Sequence, residues 1–289
     1  MADYSLADLR AALDSIPPMP DCLGRGIVIA GGGRYLASAY VAVRSVRHTG
    51  CDLPIQMWHL GPEEMPDEAR GAFEEQGAEL VDALAIEKSH PFRKLNGWKT
   101  KIFSILYSRF MEVLFLDADN FALKDPSFLF EDPAYKGSGC IFWPDLVFEP
   151  GSKFEIKPFA WSFLGLPALE DAELESGQIL IDKGLCWEAL WLTRHMNENS
   201  DFYYEKCTYG DKDTFRLAWT YLNKPINVIH YRPSPLPNSI AIQHAPDGSQ
   251  LFQHARKWEL PLHRNGFVRG YQMEDEALEW LREFLNLDR

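Results

Sequence analysis

Paired cysteines are missing from this sequence of 289 residues. It contains five cysteines, which are scattered and include no Cys-x-x-Cys pair. Thiolate zinc sites need clustered ligands, and disulfide frameworks usually need an even number of cysteines, so neither is expected. Free thiols are typical of a reducing compartment, and we therefore expect a cytoplasmic protein.

A long apolar stretch is also missing. No segment reaches the roughly 18–20 consecutive apolar residues that a membrane-spanning helix requires. The first residues, Met1 to Pro20, have no basic start followed by an apolar run, so no secretory signal is predicted. We expect neither a membrane span nor export.

Positive charge is scarce. Lys and Arg number 29 against 42 Asp and Glu, which gives a formal net charge of −13. Nucleic-acid-binding proteins hold phosphates with clustered Lys and Arg, so no nucleic-acid partner is expected. A nucleotide ligand is compatible with this charge, because a bound divalent cation locally reverses an acidic field. Hydrophobic residues make up 46% of the chain and charged residues 25%, which predicts a folded globular protein.

Strand and helix patterns alternate through the first half of the chain. Short apolar runs predict strands at 27–30, 54–60, 78–81 and 113–116, and helical spacing predicts helices at 5–16, 35–47, 67–76 and 100–110. Such alternation predicts an α/β fold with a mostly parallel sheet covered by helices on both faces. The second half is less regular: it predicts strands at 140–143, 177–181 and 250–254, helices at 185–197, 211–222 and 275–287, and a proline-rich loop at 233–237.

Two aspartates follow the clearest buried strand. Asp117 and Asp119 come directly after Val113–Leu116, with only Ala118 between them. Ligands of open α/β sheets bind at the carboxyl ends of strands, and residues two apart in an extended chain point the same way. Two carboxylates in this arrangement suit Mg²⁺ or Mn²⁺ bound to a diphosphate. The structural alternative is that Asp117 caps a turn and Asp119 begins the next loop.

A histidine ends the last predicted strand. His254 is followed by Arg256 and Lys257. Imidazole is a good third ligand for Mn²⁺, and the neighbouring cations are placed to meet phosphate oxygens. The alternative is a solvated loop histidine among basic residues.

A glycine run follows the first strand. Gly31, Gly32 and Gly33 precede a helix, as in a turn that contacts a nucleotide, and Tyr35 is available for stacking. The run does not complete a dinucleotide fingerprint, because Leu36 stands where the third glycine is needed. A purely structural turn is the alternative. Lys101 lies in the predicted helix before the aspartates. It is a candidate for binding the phosphates of a nucleotide donor, and the alternative is an ordinary surface lysine.

Two polar segments carry further candidates. Glu175 to Gln178 mixes a carboxylate, a hydroxyl and an amide before a predicted strand, and such a set can hydrogen-bond sugar hydroxyls. Asp211 and Asp213 begin a predicted helix, where they either face a substrate or cap the helix. They are preceded by three tyrosines, Tyr203, Tyr204 and Tyr209. We expect these either to form an aromatic surface for a sugar or to pack in the core.

Taken together, these segments resemble one family. The ordered set is 26–36, 113–120, 175–183, 209–215 and 251–254, and the resemblance spans about Gly24 to Trp258. It resembles the fungal α-mannosyltransferases that extend cell-wall mannan and, more distantly, the glycogenin-like retaining glycosyltransferases. The resemblance implies a GT-A fold in a single domain, 1–289, with a nucleotide-binding half at about 24–125, an acceptor half at about 126–260 and a C-terminal helix at 261–289. The fungal members are type II membrane proteins of the Golgi, whereas no anchor is predicted here.

The resemblance also implies a site and a reaction. The metal, Mn²⁺ or Mg²⁺, would be bound by Asp117, Asp119 and His254. The donor, GDP-mannose foremost, would be held by Gly31, Gly32, Gly33, Tyr35, Lys101, Asp117 and Lys257. The donor sugar and a glycan or small hydroxyl acceptor would face Glu175, Gln178, Asp211 and Asp213. Members of this family retain the anomeric configuration, and front-side attack with the leaving phosphate as base is the expected mechanism.

Two other functions use related features. A sugar nucleotidyltransferase also combines a Rossmann-like sheet with metal carboxylates, but it favours a basic glycine-rich loop for a triphosphate, and only Arg34 lies near the loop here. A non-catalytic nucleotide-sugar binder is the third possibility, although it would not require the metal carboxylates.

Overall fold

A computed structural model describes residues 4–146, 154–169, 173–254 and 269–285. Within these residues the strands are β1 Arg25–Ala30, β2 Ile55–His59, β3 Ala78–Asp82, β4 Glu112–Asp117, β5 Asn120–Ala122, β6 Cys140–Pro144, β7 Leu174–Asp182, β8 Ser234–Leu236, β9 Ile240–His244 and β10 Gln250–His254. The helices are α1 Leu6–Asp14, α2 Leu36–His48, α3 Asp67–Glu75, α4 Ala83–Glu87, α5 Lys99–Tyr107, α6 Pro133–Ser138, α7 Pro158–Leu164, α8 Lys183–Glu198, α9 Ser200–Lys206, α10 Lys212–Tyr221 and α11 Glu274–Leu285. Among these described helices, each is too short or too polar to cross a bilayer.

The larger sheet has six strands in the order β3-β2-β1-β4-β7-β6. The first four strands are parallel to one another, and helices supply the crossovers that parallel pairing needs. β7 runs antiparallel to both β4 and β6. The prediction of a mostly parallel α/β sheet flanked by helices is therefore confirmed, with two antiparallel strands contributed by the second half of the chain.

Side chains of the central strands alternate between two apolar layers. On β1, Ile27 and Ile29 join the layer that contains α2, α3 and α11, whereas Val28 points into the layer that contains α5, α8 and α10. This alternation follows from the two-residue period of a strand. Both faces of the sheet are covered, which leaves the carboxyl ends of the parallel strands as the accessible edge.

The smaller sheet brings the end of the chain back to that edge. Its order is β5-β10-β9-β8, and all of its pairings are antiparallel. Only two residues separate β4 from β5, and β5 pairs with β10 so that Asn120 lies opposite His254. The second sheet thus holds the end of β10 directly beside the end of β4.

Two local predictions were wrong. Residues 175–178 do not precede a strand but lie inside β7, which enters the sheet at the accessible edge and is polar on that account. Residues 233–237 are not all loop, because Ser234–Leu236 form β8. Proline is tolerated there since β8 is an edge strand, where one row of backbone groups needs no partner. The other predicted elements are present with end shifts of a few residues, and residues 286–287 of the last predicted helix lie outside the described residues.

Candidate active site

Three ligand-type side chains converge at the accessible edge. One ligand atom from each of Asp117, Asp119 and His254 lies within 4.8 Å of the other two. His254 Nε2 is 3.6 Å from Asp119 Oδ1 and 3.9 Å from Asp117 Oδ2. The His254 side chain is largely buried, so it is not the solvated loop residue of the alternative reading. Two carboxylates and an imidazole at these separations can hold a divalent cation.

The opposite side of the imidazole is fixed by β7. Glu175 Oε2 lies 3.7 Å from His254 Nδ1, and Glu175 Oε1 accepts the backbone N–H groups of Ser176 and Gly177 at 2.7 and 2.9 Å. A carboxylate behind a ligating histidine orients the ring and raises its basicity. Gly177 passes under the ring so closely that an added Cβ would lie 2.3 Å from an imidazole carbon.

Burial and neighbouring charges shift the pKa values of Asp117 and His254 upward. Burial raises the pKa of Asp117 to about 6, and the charge of Asp119 adds to this effect although Lys101 opposes it. Burial alone would lower the pKa of His254, but the surrounding carboxylates, Glu175 foremost, raise it to about 9. Buried, closely spaced ionisable groups with shifted pKa values are typical of functional sites.

Lys101 is a buried crosslink rather than a surface lysine. Its Nζ lies 3.1 Å from Asp117 Oδ2 and 3.2 Å from Asp211 Oδ2. It also donates to the backbone carbonyl and the hydroxyl of Ser176, at 2.8 and 2.7 Å. Burial alone would lower the pKa of Lys101, but the two aspartates outweigh it and the pKa is raised. The ammonium therefore stays charged and ties β4, β7 and the start of α10 together.

The two aspartates at α10 have different surroundings. Asp211 makes no side-chain hydrogen bond that caps the helix, and it faces Lys101 instead. Asp213 is fully buried farther along, 3.4 Å from the Nζ of Lys212. Burial, with an added contribution from Glu173, raises the pKa of Asp213 well above its usual value. Asp211 is therefore linked to Asp117 through Lys101, whereas Asp213 pairs with Lys212.

Gln178 lies beneath the group on β7. Its Oε1 accepts from Asn120 Nδ2 at 2.5 Å, and the same Nδ2 donates to the carbonyl of Gly177. Gln178 is fully buried, and its Nε2 has no hydrogen-bond partner within the described part of the chain. The two amides link the strand that carries Glu175 to the start of β5.

The glycine turn packs against the aspartate motif. A Cβ added at Gly31 would lie 2.6 Å from the Cβ of Ala118, so this position tolerates no side chain. Gly33 has a φ of +53°, which L-residues with side chains rarely adopt. Tyr35 lies next to it, with the guanidinium carbon of Arg34 4.7 Å from its ring centroid.

A cleft of about 710 Å³ joins these parts. The candidate residues named from the sequence that line it are Gly31, Gly32, Tyr35, Lys101, Asp117, Asp119, Tyr204 and His254. Trp98 and Glu64 also line it and were not predicted, because neither belongs to a motif and both reach the cleft through long-range packing. Lys257 lies outside the described residues. Gly33, Glu175, Gln178, Asp211 and Asp213 are not among the lining residues.

A second cleft, of about 760 Å³, lies between α1, α8 and α9 and contains none of the predicted site residues. Its arginines are paired within the protein, Arg93 with Asp201 at 2.7 Å and Arg194 with Glu198 at 3.0 Å. The candidate ligand-binding residues are therefore concentrated in the first cleft.

Comparisons with known proteins agree with this arrangement. The model of a family described as "Mannosyltransferase putative" matches residues 24–164 and 166–236, well over half of the chain. Alpha-1,2-mannosyltransferase MNN5 of Saccharomyces cerevisiae is 29% identical over 254 residues, covering 69% of this chain and 43% of that protein. Alpha-1,2-mannosyltransferase MNN2 of Candida albicans is 23% identical, covering 69% and 41%. The chain thus spans about two fifths of the length of these curated relatives.

A solved structure shows the same fold. The apo-form glycosyltransferase GlyE of Streptococcus pneumoniae superposes with a TM-score of 0.51 at 14% identity, covering 92% of this chain and 64% of that one. The predicted GT-A fold is confirmed by this likeness, which concerns the fold alone. On the family match, the chain belongs to the mannosyltransferase family that this model describes.

Proposed function

We propose that the protein is a metal-dependent glycosyltransferase that moves mannose from GDP-mannose to a hydroxyl of a glycan or small acceptor, with retention of the anomeric configuration. The observation that carries the proposal is the group of Asp117, Asp119 and His254 at the carboxyl edge of the sheet. Membership in a mannosyltransferase family supports mannose as the sugar, since the relatives named above are alpha-1,2-mannosyltransferases.

The residues fit a divalent cation. Two hard carboxylate oxygens and one imidazole suit Mn²⁺, and they also accept Mg²⁺. Gly177 leaves the space that His254 occupies, and Glu175 lies behind the ring, as expected for a ligating histidine. When bound, the cation would neutralise the negative charge that develops on the departing nucleoside diphosphate.

The nucleotide would occupy the glycine-turn end of the cleft. Gly31 and Gly32 line the cleft beside Asp117 and Ala118, so a ligand there would meet the backbone of the turn. Tyr35 offers a ring for the base, and the cleft volume of about 710 Å³ is within the range of ligand pockets. A role for Lys101 in phosphate binding requires it to exchange one of its present partners for a phosphate oxygen, so we assign it first to positioning Asp117 and Asp211.

The sugar transfer would take place on the β7 and α10 side. The bond from the mannose C1 to the diphosphate oxygen breaks, and the acceptor oxygen bonds to C1 from the same face. The hydroxyl proton passes to the leaving diphosphate. Asp211, at the start of α10, is the residue that we assign to the sugar hydroxyls, because it pairs with Lys101, which also contacts Asp117. Glu175 and Gln178 hold His254 and β5 in place, and Asp213, which is buried beside Lys212, supports the start of α10.

Transfer assays test the proposal directly. The protein is incubated with GDP-mannose, α-linked mannobiose and Mn²⁺, and the product is identified by mass spectrometry and its anomeric configuration by NMR. We expect a trisaccharide with a new α-linkage and no product in EDTA. Asp119→Asn should transfer at less than about one hundredth of the wild-type rate, since even outer-shell partners of metals typically cost 10–100-fold.

Asp21→Asn is the matched control, because Asp21 is exposed and remote from the cleft. It should retain full activity. Undiminished transfer in EDTA, or by the Asp119→Asn protein, would refute metal dependence, and a β-linked product would refute retention.

A further inference from the structure

A group of aromatic rings lies at the cleft: Trp98 and Tyr204 line it, and Tyr209 adjoins Trp98. Trp98 is 56% exposed and Tyr209 is 46% exposed, although both are large side chains that folding usually buries. Their ring centroids are 6.3 Å apart, and Tyr204 lies 6.4 Å from Trp98 on another side. Of the tyrosines that the sequence suggested as an aromatic surface for a sugar, Tyr203 is instead fully buried.

Contacts with neighbouring residues hold these aromatic rings in place. Gly210 lies against the indole of Trp98, where an added Cβ would be 3.1 Å from the nearest ring carbon. The hydroxyl of Tyr204 donates to Asn197 Oδ1 at 2.5 Å. Phe154 packs edge-on against Tyr209, with centroids 4.8 Å apart. The surface is therefore preorganised, which limits the ordering cost of binding.

A continuous series of contacts connects this surface to the reacting groups. Gly210, under Trp98, directly precedes Asp211, and Asp211 pairs with Lys101, which in turn contacts Asp117. Trp98 also immediately precedes α5, the helix that carries Lys101. The aromatic surface thus adjoins the sugar side of the site. The glycine turn lies at the start of α2, which belongs to the other apolar layer.

From this geometry we infer that Trp98 and Tyr209 form the binding surface for the acceptor glycan. The inference rests on the proposed function. A pyranose ring presents a face of C–H groups that packs on an aromatic ring, while its hydroxyls need polar partners such as Asp211. Exposed aromatic side chains next to a polar cleft match both requirements. The nucleotide base is assigned to Tyr35 beside the glycine turn, so we assign the ring of Trp98 to a sugar of the acceptor.

Binding and kinetics of four variants test this assignment. α-Linked mannobiose is titrated by NMR into protein saturated with Mn²⁺ and GDP, and the KM values for mannobiose and GDP-mannose are measured separately. We expect Trp98→Ala and Tyr209→Ala to weaken mannobiose binding and raise its KM about tenfold or more, as removal of a stacking ring does elsewhere. Trp98→Phe should recover part of the affinity. The KM for GDP-mannose should not change.

Phe159→Ala is the control, because Phe159 is 46% exposed like Tyr209 but lies on α7 away from the cleft. It should bind mannobiose as the wild type does. Equal mannobiose affinity in wild type and Trp98→Ala, or a raised KM for GDP-mannose alone, would overturn the inference. Mannobiose binding that depends on Trp98 in a protein that transfers no mannose would refute the proposed function and leave the glycan surface intact.

Discussion

At Gly177 the backbone of β7 passes under the imidazole of His254. An added Cβ would lie 2.3 to 2.8 Å from three ring atoms, well inside van der Waals contact. The ring cannot move far, because Glu175 lies on its Nδ1 side and the aspartates on its Nε2 side. The position of a proposed metal ligand therefore depends on a residue that has no side chain.

Gly177→Ala should lower the affinity for Mn²⁺ by about 10–100-fold, the usual effect of disturbing the surroundings of a ligand. The methyl group displaces the imidazole, while the strand backbone itself accommodates alanine. Isothermal titration with Mn²⁺ measures the change.

Gly71→Ala is a suitable control because an added Cβ there meets no atom within 4 Å. Gly71 lies within α3, so alanine should raise stability by about 0.5–1 kcal/mol and leave Mn²⁺ affinity unchanged. Unaltered Mn²⁺ affinity in Gly177→Ala would show that His254 is not a ligand.

Some residues of the site are marked by a signal in the local sequence and others are not, for a physical reason. Asp117 and Asp119 were found because a local signal, an apolar run that ends in two carboxylates, marks the end of a buried strand. Trp98 carries no local signal, and its exposure depends on how the α9–α10 connection packs against α5. Glu64 likewise reaches the cleft by folding back, with its carboxylate accepting the N–H of Leu60 at 2.9 Å.

Helix α5, at the scale of an element, is fixed at both ends by buried lysines. Lys101 near its start pairs with Asp117, and Lys183 near its end donates to the carbonyls of Leu106 and Ser108 at 3.3 and 2.7 Å. A cation is favourable at the carboxyl end of a helix, where carbonyls lack intrahelical partners. Burial lowers the pKa of Lys183 to about 8, although the neighbouring Cys22 opposes this effect.

This lowered pKa predicts a pH dependence of stability. The unfolded chain holds the Lys183 proton up to its ordinary pKa of 10.5, whereas the folded protein releases it above about 8. Between these values the unfolded state binds more protons, so the free energy of unfolding rises with pH by up to about 1.4 kcal/mol per unit. Lys183→Met should lack this rise.

Urea unfolding of both proteins at about pH 7, 8 and 9.5 measures it, and the difference between them should change by about 1–2 kcal/mol over this range. Comparing the two proteins cancels other groups that titrate in the same range. Parallel profiles for wild type and variant would contradict the assigned pKa.

The strands of the second half show where local patterns stop being informative. The first residues of β7 are polar because they reach the cleft edge, so they lack the apolar alternation that identifies a strand. β8 contains a proline, and its sequence therefore predicted a loop. Both are strands because they pair with neighbours in a sheet: β7 pairs with the distant β4, and β8 pairs with β9, the next strand along the chain. The central parallel strands β1 and β4 were predictable because their buried residues form short apolar runs.

At the scale of the whole molecule, the two sheets together position the candidate metal ligands Asp117, Asp119 and His254. Asp117 ends a strand of the larger sheet, whereas His254 ends a strand of the smaller one, far along the chain. In the unfolded chain these ligands are separated, so a cation that needs all three binds the folded protein alone. Binding then raises the free energy of unfolding by about 2.7 kcal/mol when free Mn²⁺ is one hundred times its Kd.

We therefore expect Mn²⁺ to raise the melting temperature of the wild type by several degrees, and EDTA to reverse the increase. The net charge of −13 also attracts divalent cations weakly to the whole surface, so the variant comparison decides the origin of the shift. Asp119→Asn removes a ligand and should show only the weak general effect, whereas Asp21→Asn removes the same charge elsewhere and should keep the full shift. Scanning calorimetry across a Mn²⁺ titration measures both. Equal shifts in the two variants would mean that Mn²⁺ acts through surface charge and that Asp117, Asp119 and His254 do not form a joint site.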